Sequence, residues 1–352
     1  MGDAIKKKLN MRAAIYNPYL DTLGGGERYT VSFAKVLLNS GWKVDIEWNH
    51  PSIITSMQDR FGINLKGLEV VKDIKKGDGY DLCFWVSDGS IPTLRSRKNL
   101  LHFQVPFHNI GGNNLLNKMK LFRIEKIICN SKFTKKIIDK EYGTESVVVY
   151  PPVDVDRIIS KRKENLILFV GRFSQLKQNK NQNVLIEVFK KLVDNGLKDW
   201  KLILAGGTEI VDADYLKNLE KMSERYLIEI IRSPDFSILK NLYGKARIFW
   251  SASGFGEDNE KNPEKVEHFG ITVVEAMSAG AIPVVFNAGG HKEIIKDGVN
   301  GFLWESTDQL IKITNHILKD RSVYSSVSKK AKRDSSAFSF ERFEKEIISS
   351  IL

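Results

Sequence analysis

Two glutamates, Glu267 and Glu275, lie on either side of a Phe269-Gly270 pair, in a Glu-x7-Glu spacing. The apolar pattern that begins at Ile271 or Thr272 and runs out in Ala276-Met277-Ser278-Ala279-Gly280 predicts a helix with Gly270 just ahead of its first turn. The first turn of a helix presents unpaired N–H groups, which attract anions, and a glycine there lets backbone come close to a ligand. Pyrophosphate suits such a place. Glu275 would stand about a turn inside the helix and Glu267 in the loop before it, so two carboxylates flank one phosphate site. One can accept hydrogen bonds from ribose hydroxyls, the other from a sugar. A bare Glu-x7-Glu spacing would read as an acidic loop before an ordinary helix; the Phe-Gly pair and the small-residue end make the longer pattern specific.

A diphosphate that leaves a reaction centre without a metal needs fixed positive charge. The segment Gly171-Arg172-Phe173-Ser174-Gln175-Leu176-Lys177 offers it, directly after an apolar, strand-like run. Arg172 and Lys177 are the candidates, with Lys180 in the following run Gln178-Asn-Lys-Asn-Gln-Asn183 a rival for the lysine role. A third glycine cluster, Gly24-Gly25-Gly26, sits between the first strand and first helix, where backbone amides can line a phosphate or sugar. It is not the dinucleotide fingerprint, since Glu27, Arg28 and Tyr29 follow it. His102 and His108 close the list, in Leu101-His-Phe-Gln-Val-Pro-Phe-His108 at the end of a predicted central strand. Two acidic pairs, Asp212/Asp214 and Asp154/Asp156, imitate a metal-diphosphate motif. The first reads as the opening of a helix and the second as linker, so no metal site is expected.

The elements that must position these residues are legible as short β-rich runs alternating with helical patterns, the mark of parallel sheets covered by helices. Strands are predicted over Arg12–Asn17, Lys43–Trp48, Leu68–Val71, Tyr80–Val86, Asn99–Gln104, Lys126–Asn130 and Ser146–Tyr150, with helices such as Glu27–Asn39 and Lys132–Glu141. Pro151 and Pro152 stop the last strand, and the polar stretch Asp154–Glu164 reads as a linker. The pattern then restarts with Leu166–Val170, helix Asn181–Asp194, Lys201–Ala205, helix Tyr215–Glu224, Leu227–Ile231, Arg247–Ser251, Ile282–Phe286 and Gly301–Trp304. The expected organisation is a disordered leader over 1–10, one Rossmann-like domain over 11–152, a second over 153–335, and a C-terminal segment, 336–352, whose amphipathic helix Phe340–Leu352 packs back on the first domain. Ligands of such sheets bind outside the carboxyl ends of the strands, and the candidate residues follow strands.

With 352 residues and 42% hydrophobic composition the chain can bury two cores. It has no apolar run of membrane-span length and no secretory signal pattern. Its two cysteines, Cys83 and Cys129, lie in apolar runs and suit buried thiols in a reducing cytoplasm. The net charge of +11 is lopsided: residues 1–150 hold 23 Lys+Arg against 15 Asp+Glu. The densest part, Arg95 to Lys140, carries Lys-rich helical patterns over 117–126 and 131–140, a face that attracts an anionic membrane surface. Nucleic-acid-binding signatures are missing, so nucleic acid is not an expected partner.

The segment from Glu267 to Met277, of the form E-x-F-G-x-x-x-x-E-A-M, resembles glycosyltransferase family 4, and the resemblance extends over nearly the whole chain from Met11. It implies an α/β protein of GT-B fold, two Rossmann-like domains facing across a cleft, with retention at the transferred sugar. By resemblance Glu267 faces that sugar, the backbone at Phe269, Gly270, Ile271 and Thr272 contacts sugar and phosphate, and Glu275 binds the ribose. Arg172 with Lys177 matches the family's G-R-x-x-x-x-K segment, following Gly171, although the Gln178–Asn183 run replaces its usual glycine-containing turn. Gly24, Gly25 and Gly26 match a loop facing acceptor and donor phosphate, and the family's V-H-Y-P pattern selects His102 over His108. No cofactor is implied beyond the nucleoside-diphosphate sugar as co-substrate.

Gly24-Gly-Gly-Glu-Arg28, Val149-Tyr-Pro-Pro-Val-Asp154 and Glu267-His-Phe-Gly-Ile271 together look like the mannosyltransferases that extend lipid-linked oligosaccharides. The resemblance implies GDP-mannose as donor, a lipid-linked glycan as acceptor, and work at the cytoplasmic face of a membrane. The rivals are a UDP-sugar enzyme of cell-surface polysaccharide synthesis and a non-catalytic nucleotide-sugar-binding protein.

Overall fold

The computed structural model describes residues 11–174, 178–208 and 213–352. Two compact units appear, one of residues up to Pro152 together with Phe340–Leu352, the other Val153–Ser339. The expected leader, 1–10, lies outside the described residues. The second unit runs on past 335 to Ser339 because Val153 and Ser339 form a β-bridge, in which Val153 N–H donates to Phe338 O at 2.8 Å.

The first unit holds seven parallel strands: β1 Arg12–Tyr16, β2 Lys43–Glu47, β3 Leu68–Val71, β4 Leu82–Val86, β5 Lys98–Phe103, β6 Lys126–Cys129 and β7 Val147–Val148. Their spatial order is β3-β2-β1-β4-β5-β6-β7, with Ala13 of β1 opposite Val44 of β2 and Leu82 of β4. The second unit repeats the plan with six: β8 Leu166–Val170, β9 Lys201–Gly206, β10 Ile228–Arg232, β11 Ile248–Ser251, β12 Ile282–Phe286 and β13 Phe302–Trp304, in the order β10-β9-β8-β11-β12-β13. In each sheet the chain reverses direction beside the first strand, at β1/β4 and at β8/β11. These are the switch points at which open α/β sheets bind ligands.

Burial on both faces explains why these strands read as unbroken apolar runs: every residue of β8 and of β11 is buried. β7 is shorter than the predicted Ser146–Tyr150: Val149 N–H still donates to Cys129 O of β6 at 3.0 Å, but the outermost residues bond to side chains. Ser146 N–H donates to Asp139 at 2.8 Å, and Tyr150 O accepts from Arg342 at 2.9 Å. The helical pattern over 117–126 also resolves differently. The helix covers Leu115–Leu121, and by Lys126 the chain is already in β6.

The last helix, Phe340–Ser350, belongs to the first unit, where Phe343, Ile347 and Ile351 join the core built by β1, β4 and the helix Gly25–Asn39. The Phe343 ring meets Tyr29 edge-on at 5.2 Å. Both cysteines are buried free thiols, pushed up to about 12 by burial. Among the described residues no helix is long and apolar enough to cross a membrane.

Candidate functional site

The constellation forms at the carboxyl ends of β8 and β11 in the second unit. Leaving β8, Gly171 N–H donates to Ala205 O at 2.9 Å, so the loop begins pinned to β9. The neighbouring Gly206 has no room for a side chain, since a Cβ there would lie 1.8 Å from Gly171 O. The next carbonyl, Arg172 O, accepts from Gln182 Nε2 at 2.7 Å, and Gln182 is in turn held by the Tyr215 hydroxyl at 3.0 Å. The backbone under Arg172 is thus fixed from two sides. Its guanidinium makes no hydrogen bond or ion pair among the described residues.

Lys180 behaves differently. Its ammonium donates to Glu267 at 2.7 Å and to Gln178 at 2.6 Å in a largely buried setting. Burial pushes its pKa down, opposed by Glu267 and reinforced by the nearby charge of Arg172. Lys177 lies outside the described residues. The run Gln178–Asn183, which replaces the expected glycine turn, proves to be a set of tethers. Asn181, at φ 50°, donates through Nδ2 to Ala252 O and Phe255 O, both at 3.1 Å, and so ties the loop after β8 to the loop after β11. Gln178 Nε2 donates to Val266 O beside Glu267. The sequence reading missed Asn181 and Gln182 as positioning residues; the signal was a run of amide side chains, Gln178–Asn183, at the end of the loop that follows a buried strand.

On the other side of the site, Gly270 caps the helix Ile271–Ser278 with φ 113°, a left-handed conformation that an L side chain rarely adopts. The N–H groups of Ile271 and Thr272 donate to no described residue, and both residues are half-buried. They are the open first-turn amides expected of an anion site. The preceding loop is held by the Gly289-Gly290 turn, where Gly290 N–H donates to Glu267 O at 2.7 Å and a Cβ on Gly290 would come within 2.4 Å of Phe269 Cα. Phe269 itself is buried and packs against Phe338 at 5.3 Å. Glu275 is buried rather than solvated, and its carboxylate accepts from the Tyr243 hydroxyl at 2.7 Å.

Glu267 lies in competing fields. Burial alone would raise its pKa, yet Lys180 first, then His291 and His268, hold it down at about 2 against an ordinary 4.5. His291 is fully buried, donates through Nδ1 to Phe286 O at 2.9 Å, and is itself pushed down by burial. A carboxyl whose folded pKa lies below its unfolded one adds stability that is complete above the unfolded value and is lost as pH falls through 4.5 towards 2. Glu267→Gln is therefore expected to flatten the decline in Tm between about pH 5 and 3. Calorimetric scans of both proteins check it, and an equally steep decline in the variant would show that this pair is not what acid breaks.

In the first unit the glycine cluster opens the helix Gly25–Asn39. Gly24 N–H is taken by Glu27 at 2.8 Å, while the amides of Gly25 and Gly26 donate to no described residue. Gly26 lies against the amide end of the Gln104 side chain, just past β5, where a Cβ would come within 1.8 Å of Gln104 Oε1 and push that side chain aside. His102 does not stand at a crevice lip. Its ring stacks on Tyr29 at 4.1 Å and near Phe84 at 5.4 Å, fully buried, with Nδ1 donating to Ile128 O at 3.0 Å. Burial pushes its pKa down to about 3, so it stays neutral, and its Nε2 is buried with no partner among the described residues. The position expected at a crevice lip is thus a buried one within β5, packed on the helix Gly25–Asn39 through Tyr29. His108 lies half-buried in the loop beyond.

Of the acidic pairs, Asp212 lies outside the described residues, Asp214 sits in the first turn of the helix Ala213–Ser223, and Asp154 pairs with Arg157 at 3.4 Å. Among the described residues no three His, Cys, Asp or Glu side chains gather into a metal-ligand cluster.

Two Rossmann-like units of this strand order, with an open-amide helix start opposite a cationic loop in the second, have the build of GT-B glycosyltransferases. Residues 154–334, just over half of the chain, match the model of glycosyl transferases group 1, and the chain belongs to that family. It is 29% identical over 226 residues to a GDP-Man:Man(3)GlcNAc(2)-PP-Dol alpha-1,2-mannosyltransferase of Dictyostelium discoideum, covering 61% of this chain and 43% of that protein. The protein of the same description from Mus musculus is 29% identical over 353 residues, 93% of this chain and 63% of its own length. The chain thus spans less than two thirds of either relative. A glycosyltransferase structure from Rickettsia africae superposes with a TM-score of 0.77 at 18% identity, over 96% of this chain and 97% of that one, and shares the fold.

Proposed function

We propose that the chain transfers mannose from GDP-mannose to a hydroxyl of a lipid-linked glycan, with retention and without a metal ion. The observation that supports this reading is the Lys180–Glu267 ion pair at 2.7 Å, which joins the loop that carries Arg172, whose guanidinium has no partner among the described residues, to the loop that leads into the open amides of Ile271 and Thr272. Fixed cations and helix-start amides stabilise a departing diphosphate as its charge develops. In the transfer, the anomeric C–O bond to the distal phosphate breaks, the acceptor oxygen forms the new bond, and its proton passes to the leaving phosphate. Arg172, with Lys177 or Lys180, neutralises the diphosphate; Gly171 and Gly270 let backbone approach it. Glu267 orients the sugar and Glu275 the ribose. The names of the two mannosyltransferase relatives favour GDP-mannose and a lipid-linked acceptor.

A donor panel in EDTA tests the reading. GDP-mannose should release GDP in the presence of acceptor and, at about 100 times its Kd, stabilise the fold by roughly 2.7 kcal/mol. A stabilisation by UDP-sugars alone would transfer the assignment to a UDP-dependent enzyme. Binding without turnover on any acceptor would leave a sugar-nucleotide-binding protein. Activity lost in EDTA and restored by a divalent ion would overturn the metal-free mechanism.

A further inference from the structure

The helix Leu115–Leu121 in the first unit is built inside out for a protein in water. It buries none of its own residues. Leu115, Leu116, Met119 and the capping Phe122 are 76, 60, 66 and 93% exposed. At about 100° per residue, Leu115, Met119 and Phe122 share one side, Leu116 forms its shoulder, and Lys118 and Lys120 fall on the two flanks. Only Leu121, on the opposite side, packs towards the core of β5 and β6.

This exposure is not slack in a loop. Asn114 caps the helix by accepting from Asn117 N–H at 2.8 Å, and Asn117 Nδ2 donates to Gly112 O at 2.9 Å. The approach to it is clamped by Glu141, whose carboxylate accepts from the N–H groups of Asn109, Ile110 and Gly112 at 2.8, 3.1 and 2.8 Å. Gly112 is pressed so closely on Tyr142 that a Cβ would come within 2.8 Å of its ring. Arg123 ties the far end to Leu94 O at 2.9 Å. Asn114, Asn117 and Arg123 hold the helix in place, while Leu115, Leu116, Met119 and Phe122 point outward.

Charge decides what covers it. From Gly89 to Ile124 the sequence has six Lys and Arg and no Asp or Glu. The side chains of Lys118 and Lys120 make no ion pair or hydrogen bond among the described residues. An apolar stripe between unpaired lysines matches the boundary of an anionic bilayer, where acyl chains take the apolar side chains and headgroup phosphates take the ammonium groups. A second copy of the chain would bring the same lysines against one another. We infer that Leu115–Phe122 is a membrane-seating element, inserting Leu115, Leu116, Met119 and Phe122 into the interface of an anionic bilayer. This rests on the lipid-linked acceptor for its purpose, since such seating brings the protein to its substrate.

The lysines of the helix Lys132–Tyr142 contribute less than their number suggests, because Lys135 is engaged with Asp139 at 2.6 Å and with Ser146 O. The test therefore targets the apolar stripe. Flotation with phosphatidylcholine vesicles, with and without phosphatidylglycerol, compares the wild type with two variants, Leu116→Ser/Met119→Ser/Phe122→Ser and Lys118→Glu/Lys120→Glu. The wild type should float with anionic vesicles and retain part of that binding at about 1 M salt, where charge is screened beyond roughly 3 Å. The serine variant should lose on the order of 100-fold in partitioning, chiefly the salt-resistant part. The glutamate variant should lose binding at low salt. Equal flotation of the serine variant and wild type, or a wild type that ignores anionic vesicles, would overturn the assignment. So would a serine variant that turns a dimer into a monomer while floating unchanged. Thermal stabilisation by GDP-mannose on the same samples reads the donor site separately, so the two proposals fail independently.

Discussion

Arg172→Ala is expected to lower kcat/KM by about 10²–10³-fold, the loss typical of one preorganised donor aimed at developing charge. The structure makes this a clean deletion. The guanidinium has no partner among the described residues, so its removal orphans nothing, and the backbone beneath it is held by Gly171 N–H and by Gln182 whatever the side chain. Thermal stability should stay within about 0.5 kcal/mol of wild type, as for a substitution away from any packed or paired group. Arg172→Lys should recover only part of the rate, since a point charge replaces a planar fork. Steady-state kinetics with GDP-mannose settles the matter: a rate near wild type for the alanine variant would remove Arg172 from the mechanism and return the role to the lysines.

The two glutamates should part company in a second experiment. Glu275 is buried with the Tyr243 hydroxyl on its carboxylate, a preset acceptor for hydroxyls of a bound nucleoside. Glu275→Gln should weaken GDP binding by roughly 10–100-fold, the worth of hydrogen bonds to a charged group, with a smaller effect on kcat. Glu267 holds the Lys180 ammonium at 2.7 Å, and the proposed mechanism assigns it to the sugar. Glu267→Gln should cut kcat by on the order of 100-fold and leave the affinity for free GDP within a few-fold, because GDP has no sugar for it to orient. Calorimetric titration with GDP beside turnover measurements separates the two quantities. The division of labour would be falsified if both variants moved both quantities equally.

The resting ion pair adds a physical reason for the asymmetry between the cations. In the proposed mechanism a donor phosphate would have to compete with Glu267 for Lys180, whereas Arg172 has no partner among the described residues to give up. The expectation that a lysine would share the diphosphate was legible in residue type. That Lys180 is already committed to Glu267 was not, because the two stand 87 residues apart in sequence.

What the sequence determined by itself follows from burial and local chemistry. Parallel strands covered on both faces must be unbroken apolar runs, so β8 and β11 could be read from Leu166–Val170 and Ile248–Ser251 alone. A glycine ahead of a small-residue helix declares an open first turn, and the helix does begin at Ile271 behind a left-handed Gly270. Tertiary structure decided whatever depends on which way a side chain faces. His102 at the end of β5 and Arg172 just past β8 had much the same credentials, yet the His102 ring is buried against Tyr29 and Phe84 while the Arg172 side chain has no partner among the described residues. Asn181 and Gln182 looked like a departure from a motif until their amides were seen to hold carbonyls at the neighbouring strand ends. The Lys-rich pattern near residue 120 predicted an amphipathic helix, but only the packing of β6 and Leu121 showed that its apolar side faces out. Periodicity fixes which residues share a face; what that face meets is set by long-range packing, which a single chain's local pattern does not encode.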